Sequence, residues 1–270
     1  MRVVITGASG FLGSAVLKNL TIAGLDAVGV SRKKTPGLLQ VDKYSESPSG
    51  DVLIHFAENN NRTRVNQLSS AYEQEACSTL DALLKKGYGM VIYASSSVLY
   101  GDGVRTPHSE LDPVTPVDTY TRSKMAAEQR VLSLGGTVAR LANIYGLGMA
   151  RENVISHILG QLHNDGSITL QDATPIRDFL WIDDAAEAIM KMVSLQAQGV
   201  FNIGTGIGTS IRELAGMLLA QAKVKQREIV SLQSATKQSC IVMDVTKAKK
   251  DLHWHPSVLL NEGLQRLVSK

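Results

Sequence analysis

The feature that most constrains this chain lies at residues 3–13. Val3-Val4-Ile5 is a short β-branched run, and Thr6-Gly7-Ala8-Ser9-Gly10-Phe11-Leu12-Gly13 follows it directly. The run reads as a buried strand and the apolar pattern from Phe11 to Ala23 as a helix. Glycines at 7, 10 and 13, leaving a strand and opening a helix, form a phosphate-cradling turn. Gly7 permits the tight turn, Gly10 lets the backbone approach a pyrophosphate, and Gly13 lets the helix pack on the strand. The helix start then offers free amides and the positive end of its dipole to the phosphates. Gly7, Ser9, Gly10, Phe11, Leu12 and Gly13 are the candidate cofactor loop.

The same alternation continues. Strands are expected over Ala27–Val30, Val52–Phe56 and Met90–Ala94, with a helix over roughly Leu68–Lys86. Strand–helix alternation predicts an α/β fold with a doubly wound parallel sheet, which binds its ligand at the carboxyl ends of the strands. After about Tyr145 the pattern loosens into helices near Asn153–His163, Asp183–Leu195 and Ile211–Ala222, with strands at Ile168–Leu170 and Val200–Ile203. The division expected is a dinucleotide-binding domain over 1–150, rejoined by 178–205, and a substrate lobe from 151–177 and 206–270. At 270 residues the chain can build one substantial core and a smaller lobe.

A carboxylate at the end of the second strand would grip the ribose hydroxyls of NAD. Here Val30-Ser31-Arg32-Lys33-Lys34 offers none. Ser31 and Arg32 suit a 2′-phosphate, for which a guanidinium is well shaped. The reading favours NADP(H); if Arg32 to Lys34 are only a solvated loop, NAD is the cofactor.

Of seven tyrosines, only Tyr120 has a lysine four residues on, Lys124. On a helix the two share a face, and Pro116 and Asp118 suit a helix start. A free phenol titrates near pH 10, and a neighbouring ammonium moves it toward neutrality. The phenol can then exchange a proton with a carbonyl or alcohol while a nicotinamide exchanges hydride. Ser95-Ser96-Ser97 closes the strand from Met90, where a hydroxyl can donate to an oxygen gaining negative charge. Ser96, Tyr120 and Lys124 are the candidate catalytic residues.

Taken in order, these motifs resemble the extended short-chain dehydrogenase/reductases, the NAD-dependent epimerase/dehydratase group that modifies nucleotide sugars. Ile54-His55-Phe56-Ala57 resembles the family's His-x-Ala turn. Ser96, four residues before Tyr100-Gly101, matches the catalytic hydroxyl, and Tyr120 with Lys124 matches Tyr-x-x-x-Lys. Arg140 to Gly146, Ile176-Arg177-Asp178-Phe179 with Ile182-Asp183-Asp184, Phe201-Asn202-Ile203-Gly204 and Asp244 to Pro256 match the later motifs. The resemblance implies that Lys124 and Tyr120 also contact the cofactor, that Asp42 meets the adenine, and that Ala57 and Ser95 lie beside the cofactor. It places Ser97, Asn143, Asn153 and Arg177 toward a sugar-nucleotide substrate, Arg177 near the diphosphate. It also implies a homodimer surface on the helix around Leu68–Leu84, although a core-facing helix explains that pattern equally well.

Three departures stand out. Glu58 replaces the second alanine of the usual His-x-Ala-Ala turn, where it is expected to read a sugar hydroxyl or to point to water. Only nine steps separate Asp42 from Asp51, so a helix usual in the family is truncated. A second basic diphosphate clamp is not evident, with Lys237, near Ser234 and Gln238, as its stand-in.

The implied function is NADPH-dependent reduction of a 4-keto deoxysugar nucleotide. The alternative is a nucleotide-sugar 4-epimerase with bound NAD, and the remote alternative a redox sensor that binds NADP(H) without chemistry. Dehydration fits less well, because Ser97-Val98 stands where the family's dehydratases carry an acid pair. A formal charge of +3, from 28 basic and 25 acidic side chains, gives no reason to expect nucleic acid or a membrane as partner. Cys77 and Cys240 fit no metal or disulfide spacing. His253 and His255 lack a carboxylate cluster, so no metal is expected. No signal-peptide pattern or membrane span is read, and the expected location is the cytoplasm.

Overall fold

The computed structural model describes residues 1–102, 107–224, 227–233 and 239–269. In chain order the elements are β1 (Arg2–Thr6), α1 (Phe11–Ile22), β2 (Asp26–Ser31), β3 (Leu39–Gln40), β4 (Val52–His55), α2 (Arg62–Leu84), β5 (Met90–Ser96), α3 (Thr119–Ser133), β6 (Thr137–Leu141), β7 (Asn143–Tyr145), α4 (Val154–Gln161), β8 (Ile168–Leu170), β9 (Ile176–Trp181), α5 (Ile182–Ser194), β10 (Gly199–Ile203), β11 (Gly208–Ser210), α6 (Ile211–Gln221), β12 (Ile229–Ser231), β13 (Cys240–Ile241), α7 (Thr246–Asp251) and α8 (Leu260–Val268). Between Asp42 and Asp51 there is only a short turn of 3-10 helix at Tyr44–Glu46, in keeping with the short spacing.

Seven parallel strands form the main sheet in the order β10-β6-β5-β4-β1-β2-β3. Side chains alternate across it. Val3 and Ile5 pack with Val16 and Leu20 of α1 and Ala185 and Ile189 of α5, while Val4 packs with Leu80 and Leu83 of α2 and Ala127 and Val131 of α3. Both faces are covered, which is why Val3-Val4-Ile5 at the centre of β1 is a continuous apolar run rather than an alternating one. Full burial of each such side chain stabilises the fold by about 1.5–3 kcal/mol. Strands are added outward on one side from β1 to β3 and on the other from β4 to β10, and this switch point between β1 and β4 opens a crevice at their carboxyl ends.

A smaller sheet joins β11, β9 and β13, with β7 pairing β9, and a third pairs β12 with β8. Asn143–Tyr145 pairs in parallel with Phe179–Trp181, two segments that the sequence reading places together in the dinucleotide-binding domain. The buried Asp178 ties that segment to the main sheet by accepting from the Thr205 and Gly206 amides. Asp184 accepts from the Ser257 and Val258 amides, and the Trp254 indole donates to the Asp184 carbonyl.

One expectation needs correction, and one strand was not read from the sequence. The helix expected from Leu68 begins at Arg62, where Asn61 caps it by accepting from the Arg64 amide, and it kinks at Ser69 (φ 52°). Its first turns carry little apolar periodicity, so they left no pattern to read. The strand over Thr137–Leu141 was hidden by Arg140, its fourth residue, whose charge is buried against Glu128 of α3 (Nη2–Oε2 2.7 Å, Nε–Oε1 3.1 Å).

Candidate active site

The crevice at the switch point has a volume of about 1060 Å³ and is bordered by the glycine turn, the β4 and β5 ends, α3 and the segment after β6. A smaller hollow of about 430 Å³ lies around Met1, Asp51 and Gln196, near the amino ends of the strands, and holds none of the candidate catalytic groups.

Gly7 takes φ +75° and stands so close to the β4 exit that a Cβ would lie 2.8 Å from the Phe56 carbonyl carbon. A Cβ on Gly13 would run into the Gly7 carbonyl, so α1 can seat against β1 only without one. Gly10, at the N-cap of α1, differs: the sole atom within 4 Å of a Cβ there is the Gly7 carbonyl oxygen at 3.1 Å, and the residue lines the crevice. The turn therefore leaves an open path across the start of a helix whose cap has no side-chain hydrogen bond. That fits a dinucleotide diphosphate. So does Ser95, whose buried Oγ lines the crevice without a hydrogen-bond partner among the described residues. Phe11 and Leu12 line it as well.

Farther out, Ser9 and Ser31 share a hydrogen bond (Oγ–Oγ 2.9 Å), and the Lys33 amide donates to Ser31 Oγ. Arg32 is exposed and lies over the Tyr44 ring, 5.2 Å from its centroid. Asp42 is exposed beside the short 3-10 turn. No acid stands at the end of β2. Ala57 lies between Phe56 and Glu58, which both line the crevice.

Ser96, Tyr120 and Lys124 converge on this crevice. Ser96 ends β5 and accepts from the Val98 amide (3.3 Å), so its hydroxyl proton is available for the crevice. Asp118 starts α3 with a capping box, accepting from the Thr121 amide at 2.9 Å. Burial alone would raise the Asp118 carboxyl, but its bonds to Thr121, Asn66 and Arg62 outweigh it and hold the group well below the usual carboxylate range. One turn of helix then places Tyr120 and Lys124 on the same face, both buried. The Lys124 ammonium donates to the Ala94 carbonyl (2.7 Å) and lies 6.0 Å from the Tyr120 ring centroid.

Glu58 does not point to open water: its Oε2 is 2.9 Å from Lys124 Nζ and accepts from the Tyr93 hydroxyl at 2.8 Å, while the buried Oε1 has no hydrogen-bond partner among the described residues and the side chain borders the crevice. Burial opposes both charges, yet each is stabilised by the other, which holds the carboxyl below and the ammonium above its ordinary value. Its position in the chain marked Glu58 as unusual, but nothing in the sequence shows that α3 brings Lys124 to it.

The expected substrate residues divide. Asn143 and Asn153 line the crevice; Asn143 also donates to the Asp178 carbonyl (3.3 Å), and Asn153 caps α4 by accepting from the Ile155 amide (2.9 Å). Ser97 is buried and is not among the lining residues. Arg177 is not among them either; its guanidinium donates to Ser239 Oγ (2.6 Å) and lies 3.5 Å from Asp102. The proposed stand-in Lys237, with Ser234 and Gln238, lies outside the described residues. Sequence reading missed Arg62 and Arg64, which border the crevice from the first turn of α2. The Asn61 cap was the available signal, obscured because the helix was expected to start later. Among the described residues no cluster of metal-ligating side chains occurs, no helix is long and apolar enough to cross a membrane, and both cysteines are free.

Known proteins share this architecture. The chain is 25% identical to the dTDP-4-dehydro-6-deoxyglucose reductase of Escherichia coli, over 98% of this chain and 96% of the relative. It is 29% identical to the UDP-glucuronate 4-epimerase of Thermodesulfobacterium geofontis, over 71% of this chain and 62% of the relative. The structure superposes on that of RMD from Pseudomonas aeruginosa complexed with NADPH with a TM-score of 0.86 and 25% identity, covering 99% of this chain and 97% of the other. Residues 3–204 match the NAD dependent epimerase/dehydratase family as a whole; a glycine turn, a hydroxyl, a phenol and an ammonium gathered at one switch point are what such enzymes need, and the chain belongs to that family.

Proposed function

We propose that this chain is an NADPH-dependent reductase of a 4-keto deoxysugar carried on a nucleotide. The observation that carries this reading is a Ser96–Tyr120–Lys124 set on the glycine-lined crevice, combined with a β2 end bearing Ser31 and Arg32 and no acid. The name of the Escherichia coli relative supports the substrate class.

When bound, the nicotinamide supplies hydride to the ketone carbon. Ser96 donates a hydrogen bond to the carbonyl oxygen as it gains charge. Tyr120 gives its phenolic proton to that oxygen, and the phenol regains one from solvent. Lys124 anchors the cofactor side of the site, the glycine turn and the start of α1 hold the diphosphate, and the exposed Arg32 takes the 2′-phosphate, with Ser31 buried beneath it and bonded to Ser9. Asn143 and Asn153 face the sugar nucleotide.

The test is to mix the protein with NADPH and a panel of 4-keto sugar nucleotides. Oxidation of NADPH with at least one of them is expected, and no oxidation with any would count heavily against the reading. Arg32→Ser should weaken NADPH binding about tenfold or more while leaving NADH binding little changed. The second reading, a 4-epimerase, is favoured by the Thermodesulfobacterium relative; tightly held NAD after purification, with epimer interconversion and no net redox, would establish it.

A further inference from the structure

Lys124 sits in an unusual electrical setting. Its ammonium has three N–H donors. One goes to the Ala94 carbonyl at 2.7 Å and a second to Glu58 Oε2 at 2.9 Å, which leaves one for the crevice. The side chains of Lys124 and Glu58 are 9% and 6% exposed. Such a pair, so close and so dry, behaves as a neutral unit toward anything a few ångströms away, since the field of a dipole falls off faster than that of a charge.

The groups around the pair add no compensating charge. His55, at the end of β4, has Nε2 4.0 Å from Glu58 Oε1 and is pushed down to about 4 by burial, so it is neutral at pH 7. Tyr93 of β5 donates to Glu58, and burial with the carboxylate beside it holds its proton firmly. Tyr72 of α2, which accepts from the Asn59 amide, is pushed up to about 12 by burial and Glu58. Glu128, farther along α3, is matched by Arg140. Asp118, two residues before Tyr120, is matched by Arg62, Arg64 and Glu152 border the crevice at its exposed rim, and Glu58 and Lys124 match each other.

We propose that Glu58 is a positioning residue that acts through Lys124: its carboxylate fixes the ammonium on the crevice floor and cancels its charge, so that Tyr120 serves as a proton donor rather than as a preformed base. An uncompensated ammonium beside a phenol favours the phenolate; a compensated one does so far less. A reductase needs the phenol protonated when the ketone arrives, whereas an epimerase must first take a proton from an alcohol. The inference rests on the reductase reading for its purpose, but the electrostatic claim concerns this chain alone and can be tested without a substrate.

Ultraviolet difference titration of tyrosinate, comparing the protein with its Tyr120→Phe variant, isolates the ionisation of Tyr120. In the unmodified protein no tyrosinate assignable to Tyr120 is expected at neutral pH. In Glu58→Gln, which keeps an acceptor for Tyr93 but not the charge, the Tyr120 signal should move down by about one pH unit or more. The alkaline limb of kcat/KM for ketone reduction should move with it, and Glu58→Asp should restore the original profile. A Tyr120 signal already present at neutral pH in the unmodified protein overturns the proposal. So does a Glu58→Gln protein that folds and titrates as before. If Glu58→Gln does not fold, the unmodified protein's own titration still decides. Failure to find a ketone substrate would count against the reductase reading while leaving this result standing.

Discussion

Gly7 and Gly10 lie three residues apart in the same turn, yet the structure assigns their missing side chains to different tasks, and a paired alanine substitution separates them. At Gly7, φ is +75° and a Cβ would stand 2.8 Å from both the carbon and oxygen of the Phe56 carbonyl and 2.9 Å from the Ala57 amide. The left-handed backbone costs a side chain about 1–2 kcal/mol, and forcing backbone atoms of a packed turn apart adds about 1–3 kcal/mol. Gly7→Ala should therefore lose about 2–5 kcal/mol, seen as a urea midpoint about 1 M lower. At Gly10, φ is −79°, and the single neighbour within reach is the Gly7 carbonyl at 3.1 Å. Gly10→Ala should cost no more than about 1 kcal/mol of stability, the difference between these residues at an N-cap. Its methyl projects into the crevice on the proposed path of the diphosphate, so NADPH affinity should fall at least about tenfold, ~1.4 kcal/mol. Urea unfolding and equilibrium NADPH titration on both variants give the four numbers needed. If Gly10→Ala binds NADPH normally, or Gly7→Ala is as stable as the parent, the assignment of the turn is wrong.

Tyr120→Phe should lower turnover by about 10²- to 10⁴-fold while leaving NADPH binding within a few-fold; a functional redox sensor would be indifferent, and steady-state kinetics with cofactor titration distinguishes the two. Arg140→Met leaves Glu128 buried without its partner and should destabilise the fold by about 3–5 kcal/mol, with Glu128→Leu in the same chain restoring a large part; chemical denaturation of the single and double variants checks this. The folded Asp118 carboxyl is held below its ordinary 3.8, so its stabilising contribution is present above that pH and is lost as pH falls toward the folded value. Asp118→Asn should flatten the fall of stability below about pH 4, read from urea midpoints across the acid range; an unchanged acid slope would refute the assignment.

Much of this was legible in one dimension. The glycine turn, the covered strands of the main sheet, the serine run and the tyrosine–lysine pair each depend on residues close in sequence, where hydrophobic period and turn chemistry act locally. Ser96, Tyr120 and Lys124 could be singled out because strand ends and a helical offset of four are themselves local rules. The first turns of α2 were hidden because they have little apolar pattern, and the short strand Thr137–Leu141 because a charged Arg140 breaks its apolar run. A cap at Asn61 helps the first, and an ion pair with Glu128 on another element lets the second bury its charge.

The sequence by itself determined the fold class, and it marked the glycine turn and the candidate side chains Ser96, Tyr120 and Lys124 that line one crevice. Only the tertiary structure decided that Ser97 is buried and that Arg177 is engaged by Asp102 and Ser239. It also decided that Lys124 meets Glu58, a residue 66 positions earlier in the chain. Charge pairing across such separations depends on where two elements dock, and no local pattern records a docking geometry set by the packing of the whole core.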